Sequence, residues 1–183
     1  GVSTALQVDL GMSDSQIATL NVASTIVSAF GCIVGGWLAD KLGRRRMLFA
    51  YYSLTILPAL YMGIALSSPD GLAAVTVKEY FAVALSFYLF MGMHYGTTAA
   101  IFMGLTNPAV AATQFTAFMA LRNLTISYTN AWQGAAVSNF GYSTMFFIDA
   151  AVALIPLILI PFLWERRADA QAPSAGAPLP EAS

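Results

Sequence analysis

The sequence predicts an all-α membrane protein with five transmembrane helices, and three observations support this fold class. Hydrophobic residues make up 58% of the 183 residues and charged residues only 9%, whereas soluble domains carry roughly 25% charged residues. Two uncharged apolar runs, 17–39 and 47–66, are each long enough to cross a hydrocarbon core about 30 Å thick. The loop between them carries Lys41 and three consecutive arginines at 44–46. The positive-inside rule therefore predicts that this loop is cytoplasmic.

The predicted spans begin and end at capping or turn-forming residues. Ser13 and Gln16 have the spacing of a capping box, which predicts the start of the first helix. The turn cluster at 67–71 separates the second span from the third, and the Thr-Asn-Pro sequence at 106–108 ends the third. The five predicted spans, which form a bundle over residues 14–164, are 14–40, 46–66, 79–105, 113–137 and 142–164.

The two ends of the chain are predicted to lie outside this bundle. Residues 1–13 form an external lead-in segment, and residues 165–183, rich in Ala and Pro, form a disordered cytoplasmic tail. With five spans, only Lys78 of the eight cations falls in an outer loop and only Arg122 falls inside a span. The expected location is therefore a multi-pass position in the lipid bilayer, with the C-terminus in the cytoplasm.

The loop at 36–46 reads Gly-x-x-x-Asp-Lys-x-Gly-Arg-Arg-Arg. It resembles the signature loop of the major facilitator superfamily, which joins the second and third helices of either six-helix half. The resemblance implies a secondary transporter, in which the loop latches one helix bundle to the other during alternating access. In the alternative interpretation, its cations are only topology anchors. The predicted latch residues are Gly36, Asp40, Lys41, Gly43, Arg44 and Arg45.

Motifs in the second half of the chain narrow the resemblance. Gly-Thr-Thr at 96–98, Leu-Thr-Asn at 105–107, Ala-Thr-Gln-Phe-Thr-Ala at 112–117 and Gly-Tyr-Ser-Thr-Met-Phe at 141–146 resemble AmpG-type muropeptide permeases and the related acetyl-CoA transporter family. The resemblance implies a proton-driven importer of cell-wall breakdown products in a bacterial inner (plasma) membrane. The chain would be part of the C-terminal six-helix bundle, and its partner would be the missing N-terminal half.

Small residues recur at every fourth position of the third span, the spacing that allows two helices to pack closely. They are Gly92, Gly96, Ala100 and Gly104. A second stripe of small or polar residues follows the first span from Asn21 to Ala39. That stripe is either a packing face for another helix or part of a substrate path.

The fourth span is the most polar, and a helix of this kind must face protein or a water-filled cavity along its polar side. Its predicted substrate-path residues are Arg122, Asn123, Ser127, Asn130 and Gln133. We expect Arg122 to bind an anionic group of the substrate, with Asp149 of the fifth span balancing its charge when the site is empty. A permanent structural ion pair between Arg122 and Asp149 is the alternative.

His94, inside the third span, is the second candidate for charge transfer. An imidazole has an unperturbed pKa of about 6.5, which suits a group that carries a coupling proton. The alternative is a neutral histidine that is hydrogen-bonded within its helix seam. His94 and Asp149 are therefore the predicted residues for proton coupling or charge balance.

Several classes of function are disfavoured by the sequence. It has no nucleophile elbow, phosphate-binding loop or metal-ligand cluster, so we expect no enzyme, cofactor or metal site. The formal net charge of −1 gives no indication of nucleic-acid binding, and the single cysteine, Cys32, excludes an internal disulfide. The expected ligand is a small-molecule substrate. Two alternatives stay open: a drug or metabolite exporter of the same fold, and a truncated membrane protein with no transport activity of its own.

Overall fold

The computed structural model describes residues 2–171 of the chain, and all regular secondary structure in this part is helical. Short 3-10 helices at Gly71–Ala74 and Pro108–Val110 precede the fourth and fifth α-helices. The five α-helices are α1 (Val2–Asp9), α2 (Asp14–Leu42), α3 (Arg44–Leu66), α4 (Val77–Leu105) and α5 (Ala111–Gln171).

Two capping boxes start the helices that pack most closely together. At the start of α2, the backbone N–H of Ser13 donates to Gln16 Oε1 at 2.9 Å, and the Ser13 hydroxyl accepts from the Gln16 N–H. At the start of α4, Thr76 and Glu79 make the same reciprocal pair. The second box starts α4 at Val77, two residues before the predicted span, because it satisfies the free N–H groups of the first turn.

The predicted fourth and fifth spans both lie in α5, on either side of Gly141. The backbone angles of Gly141, φ 80° and ψ 172°, are not helical. Gln133 and Asp149 are 16 residues apart and hydrogen-bonded at 2.8 Å, whereas a straight helix would separate them by about 24 Å. The chain therefore reverses at Gly141 and divides α5 into an N-terminal arm (111–140) and a C-terminal arm (142–171).

The ends of the chain differ from the predicted boundaries. The predicted lead-in segment contains the eight-residue helix α1. At the other end, α5 continues to Gln171, whereas the sequence predicts that the disordered tail begins at 165. The rest of that predicted tail, 172–183, lies outside the described residues.

The close approach of α2 and α4 depends on glycines in both helices. A Cβ on Gly35 would lie 2.5 Å from Met93 Cα, and one on Gly96 would lie 2.8 Å from the carbonyl oxygen of Cys32. A Cβ on Gly92 would overlap the carbonyl oxygen of Ser28. The small-residue stripe of the first span thus packs against α4, and this contact fixes the position of α4 in the bundle.

The helix α3 joins this pair to the C-terminal arm of α5. Its Tyr51 hydroxyl donates to the Gly35 carbonyl at 3.0 Å. The Ser143 hydroxyl donates to the Gly63 carbonyl at 2.9 Å, and a Cβ on Gly63 would meet the Phe147 ring at 3.1 Å. These contacts leave a space between α3, α4 and the two arms of α5.

The length and composition of the helices fit a membrane. Three segments are long and apolar enough to span one: Asp14–Leu42, Arg44–Leu66 and Ala111–Leu159. The helix α4 has 29 residues, as many as α2, but it is not among them, since polar residues such as His94 lower its hydropathy. Five large apolar side chains spaced along α2 are 57–73% exposed: Val22, Ile26, Phe30, Ile33 and Trp37. Such a stripe is stable only against lipid or another apolar helix.

Candidate functional site

A cavity of about 490 Å³ lies between the helices. Ser3 and Leu6 of α1 close one end of it, and its side walls come from α3, α4 and both arms of α5. A hydrogen bond holds α1 against α5: the Tyr142 hydroxyl donates to Asp9 Oδ2 at 2.6 Å. The polar side chains that line the cavity are Ser3, Tyr52, Thr55, Tyr80, Tyr88, Thr125, Thr129, Asn130, Gln133 and Asp149.

Gln133 and Asp149 form the most polar part of the wall. The Gln133 Nε2 amide donates to both carboxylate oxygens of Asp149, each at 2.8 Å. The two residues face each other because each lies eight residues from Gly141, where α5 reverses. Asp149 is the one acidic residue among the described lining residues. The pair places an oriented carboxylate in a largely apolar cavity.

Arg122 lies on the same α5 arm but has a different partner. Its guanidinium carbon lies 3.6 Å from the centroid of the Tyr95 ring, a cation–π contact between α5 and α4. One terminal nitrogen, NH1, is buried without a hydrogen-bond partner among the described residues. The guanidinium is therefore oriented by an aromatic ring and still has hydrogen-bonding capacity.

The expected balance of Arg122 by Asp149 is not found in the described structure, where Asp149 binds Gln133 instead. The reason is the register of the two arms. Arg122 lies eleven residues before Gln133, which puts it about 16 Å farther along the helix than the level of Asp149. An arginine side chain does not span that distance, so the predicted ion pair is wrong for this conformation.

His94 stacks on a tyrosine of α3. The His94 and Tyr52 rings lie 4.8 Å apart between centroids, with an angle of 22° between their planes. The Nδ1 atom of His94 is buried and has no hydrogen-bond partner among the described residues. The expected hydrogen bond within the helix seam is therefore absent at Nδ1. Because Tyr52 also lines the cavity, this stacked pair lies beside it.

The remaining substrate-path residues are divided between two faces of the N-terminal arm. Asn130 lines the cavity together with Gln133. Asn123 and Ser127 are exposed and do not line it. At about 100° per residue, Asn123 and Ser127 lie about 100° and 140° around the helix from Arg122. The structure thus brings together only part of the predicted path.

The predicted latch loop is held by Arg44. Its Nε donates to Asp40 Oδ1 at 3.0 Å, and its NH1 donates to the carbonyl oxygen of Ala100 in α4 at 3.4 Å. The Lys41 ammonium lies 4.1 Å from the Trp37 ring centroid, within its own helix. Gly43 makes the turn between α2 and α3. Its φ of 97° is a backbone angle that residues with a side chain rarely adopt.

Two other small residues of this region have different surroundings. A Cβ on Gly36 would meet nothing within 4 Å, so Gly35, not Gly36, is the close-packed glycine. A Cβ on Gly104 would lie 3.9 Å from Arg44 NH1. Arg45 is half-buried in the loop. Arg44 therefore links the start of α3 to α2 and α4.

The sequence reasoning missed several lining residues. Tyr52 and Thr55 of α3 and Tyr80 of α4 belong to the cavity wall but were not predicted as site residues. A sequence signal existed, since Tyr52 and Thr55 are polar groups in an otherwise apolar span. Hydropathy alone does not indicate which side of a helix such residues face.

Comparison with known proteins agrees with the fold. The family profile described as Major Facilitator Superfamily matches residues 1–182. The chain belongs to this superfamily. Membership supports an all-α, multi-pass membrane architecture, with the described helices as a fragment of a transporter fold.

Two curated members of the superfamily resemble part of the chain. They carry the name probable nitrate/nitrite transporter NarK2 and come from two strains of Mycobacterium tuberculosis, CDC 1551 / Oshkosh and ATCC 25618 / H37Rv. Each is 34% identical over 92 residues, which cover 50% of this chain and 21% of the relative. The match thus spans about a fifth of each relative's length. No solved structure matches the chain, and the resemblance to AmpG-type permeases stays a prediction.

Proposed function

We propose that this chain forms part of a secondary transporter that takes up a polar anionic metabolite together with protons. The observation that carries the proposal is the state of Arg122. Its guanidinium is stacked on Tyr95 and keeps a buried nitrogen without a hydrogen-bond partner among the described residues. Arg122 is the group that binds the anion.

The cost of placing a charge in a membrane favours an anion-binding role for Arg122. A charged side chain at the centre of a bilayer costs about 2.5 kcal/mol or more, so such residues usually face a partner or a water-filled path. The carboxylate nearest in sequence on the other arm, Asp149, accepts hydrogen bonds from Gln133. Arg122 is therefore left for an external anion, and its planar fork of donors matches a carboxylate or nitrate group.

Two resemblances support an anionic substrate. The curated relatives are named as nitrate/nitrite transporters, and nitrate and nitrite are anions. The AmpG-type resemblance implies muropeptides, which carry peptide carboxylates. We assign a muropeptide-like or other polar anionic metabolite, taken up across a bacterial inner membrane. The second half of the transporter completes the site, as in folds whose sites lie between two repeats.

Asp149 is the group that carries the coupling proton. Its carboxylate lies in the cavity wall and is oriented by two hydrogen bonds from Gln133. Neutralising it removes a charge from a largely apolar cavity, which is the change that a coupling site needs. His94 is less suited to this role, since it precedes Tyr95, on which Arg122 stacks, and an imidazolium there would add a second positive charge.

The test uses the longest natural protein that contains this sequence, reconstituted in proteoliposomes. Uptake of labelled nitrate and of a labelled muropeptide is measured for the wild type, Arg122→Gln and Arg122→Lys. We expect Arg122→Gln to weaken substrate affinity by about 30-fold or more, and Arg122→Lys to weaken it less, because lysine keeps the charge and loses the fork. Lys78→Gln, which removes an exposed cation in the first turn of α4, is the control. Unchanged affinity in Arg122→Gln would contradict the proposal.

A second candidate is an exporter of hydrophobic cations, which one observation favours. Five aromatic side chains and a single acidic one, Asp149, lie among the described lining residues. Rings and one carboxylate suit a lipophilic cation. Ethidium efflux from cells that express the protein tests this candidate: efflux that depends on Asp149 and not on Arg122 would favour the exporter. The aromatic lining residues are Tyr52, Tyr80, Phe87, Tyr88 and Phe146.

A further inference from the structure

We infer that the anion is held at two points, by Arg122 and by the imidazole of His94, in a site that selects planar oxyanions. The inference rests on the proposed function, because it names the second ligand of the Arg122 site. It changes the expected role of His94 from proton carrier to anion ligand. The chemical class of the ligand is a carboxylate or a nitrate group.

The two groups occupy neighbouring positions in the fold. Arg122 stacks on Tyr95 at 3.6 Å, and His94, the residue before Tyr95, stacks on Tyr52. Both stacked pairs therefore meet α4 at the same level, one from α5 and one from α3. Since His94 and Tyr95 are consecutive residues of α4, the two stacked pairs lie next to each other along this helix.

The stacking leaves the hydrogen-bonding edges of both groups unused. Arg122 NH1 and His94 Nδ1 are buried, and neither has a hydrogen-bond partner among the described residues. Buried polar atoms are nearly always paired, so these two unpaired nitrogens indicate a ligand that supplies acceptors. In the tautomer that protonates Nδ1, His94 donates one hydrogen bond and Arg122 donates the other.

The charge of the site fits a monoanion. Arg122 contributes one positive charge, and a neutral His94 contributes a donor without a second charge. A carboxylate or nitrate offers two acceptor oxygens in one plane, which matches two donors whose planes are fixed by aromatic rings. Phosphate and sulfate carry a larger charge, and a single guanidinium offsets less of the cost of removing that charge from water, so we expect this pair of donors to bind them less well.

The arrangement of the rings also distinguishes the residues that bind the anion from the residues that position them. Tyr52 and Tyr95 contact His94 and Arg122 through their faces. They are positioning residues, since they hold the two donors in place without requiring a contact of their own with the anion. Tyr52→Phe preserves the stacking face, whereas Tyr52→Leu removes it.

The test measures anion binding to the complete protein in detergent, with sodium nitrate, sodium acetate and inorganic phosphate as separate probes and sodium chloride as the ionic-strength control. We expect nitrate or acetate to bind and phosphate to bind about tenfold more weakly or not at all. A response to nitrate alone assigns an inorganic substrate, and a response to acetate alone assigns a carboxylate. Phosphate that binds as tightly as both would overturn the selection for planar anions.

Variants test the two ligands separately. His94→Phe keeps an aromatic ring and removes both nitrogens, and we expect it to weaken binding by about tenfold, the effect of one hydrogen bond to a charged group. We expect Tyr52→Leu, which removes the ring on which His94 stacks, to bind the anion more weakly. Loss of binding in Arg122→Gln with wild-type affinity in His94→Phe would overturn the inference and leave the proposed function intact. Wild-type binding in Arg122→Gln would overturn both.

A measurement on the unsubstituted protein covers the case in which His94→Phe does not fold. The protein is labelled with ¹⁵N-histidine, and the His94 signal is assigned by its loss in His94→Gln. We expect the Nδ1 resonance to shift as nitrate or acetate is added and to stay unchanged with chloride. A Nδ1 resonance at the same chemical shift without anion and with saturating nitrate or acetate would overturn the role of His94.

Discussion

Gly92 and Ser28 meet backbone to backbone where α4 crosses α2, since a Cβ on Gly92 would overlap the carbonyl oxygen of Ser28. One turn along α4, the backbone at Gly96 meets the backbone of Cys32 in the same way. These contacts fix the rotation of α4 about its axis. That rotation directs His94 toward α3 and Tyr95 toward α5, so the glycine seam positions the candidate anion site.

Two adjacent glycines of α2 are expected to respond differently to alanine. A Cβ on Gly35 would lie 2.5 Å from Met93 Cα, whereas one on Gly36 would meet nothing within 4 Å. We expect Gly35→Ala to lower stability by about 1–3 kcal/mol through overpacking. We expect Gly36→Ala to leave the thermal melting of the purified protein unchanged or slightly higher, because alanine favours the helix.

The pair also tests the predicted latch. If Gly36→Ala melts normally and transports more slowly, Gly36 approaches another part of the transporter during the cycle. Equal destabilisation by both substitutions would contradict the described contact between α2 and α4.

The reversal of α5 depends on Gly141. Its φ of 80° and ψ of 172° fall in a region that is essentially restricted to glycine. We expect Gly141→Ala to cost about 1–3 kcal/mol and to weaken the Gln133–Asp149 contact. Gly134→Ala is the matched control, since Gly134 is helical and a Cβ there meets nothing within 4 Å. Equal melting temperatures for the two variants would show that α5 does not reverse at Gly141.

Substitutions of Arg44 and Lys41 test whether the cations of this loop act as a latch or only as topology anchors. Arg44 connects Asp40 to the Ala100 carbonyl, while Lys41 lies over Trp37 of its own helix. The Arg44–Asp40 pair is largely exposed, so we expect Arg44→Gln to change stability by about 1 kcal/mol or less. We expect it to slow transport in proteoliposomes, whereas Lys41→Gln transports normally. The same effect from both variants would mean that these cations serve topology only.

Asp149 is expected to affect coupling more than binding. With Asp149→Asn, we expect the loss of uptake against a concentration gradient and the retention of substrate exchange, because exchange needs no net proton movement. Gln133→Leu removes both hydrogen bonds to the carboxylate and is expected to shift the pH dependence of uptake. Asp70→Asn, in the exposed turn between α3 and α4, is the control. Normal accumulation by Asp149→Asn would exclude Asp149 as the coupling group.

The positions of the helices were largely predictable from the sequence. The capping box at Ser13 starts α2 as predicted, and the gap between the predicted fourth and fifth spans contains Gly141, where α5 reverses. The start of α4 was missed because the capping box of Thr76 and Glu79 was not recognised. These features are local, so residues close in sequence are sufficient to specify them.

The contacts of the polar residues were less predictable. The sequence analysis expected Asp149 to balance the charge of Arg122, but Asp149 and Gln133, each eight residues from Gly141, are the residues that meet. Span ends are uncertain by several residues, and each residue of error moves a side chain by about 1.5 Å and turns it by about 100°. Counting residues from a turn residue therefore predicts which side chains lie at the same level more accurately than counting from a span boundary.

The sequence by itself determined the membrane class, the helical segments and the membership of the superfamily, because hydrophobicity, capping and motif spelling are properties of the chain. Only the tertiary structure decided that Arg122 stacks on Tyr95, that His94 stacks on Tyr52 and that Asp149 binds Gln133. Those contacts depend on the rotation and register of helices that are distant in sequence. Close packing at the glycines sets the rotation, and the reversal at Gly141 sets the register.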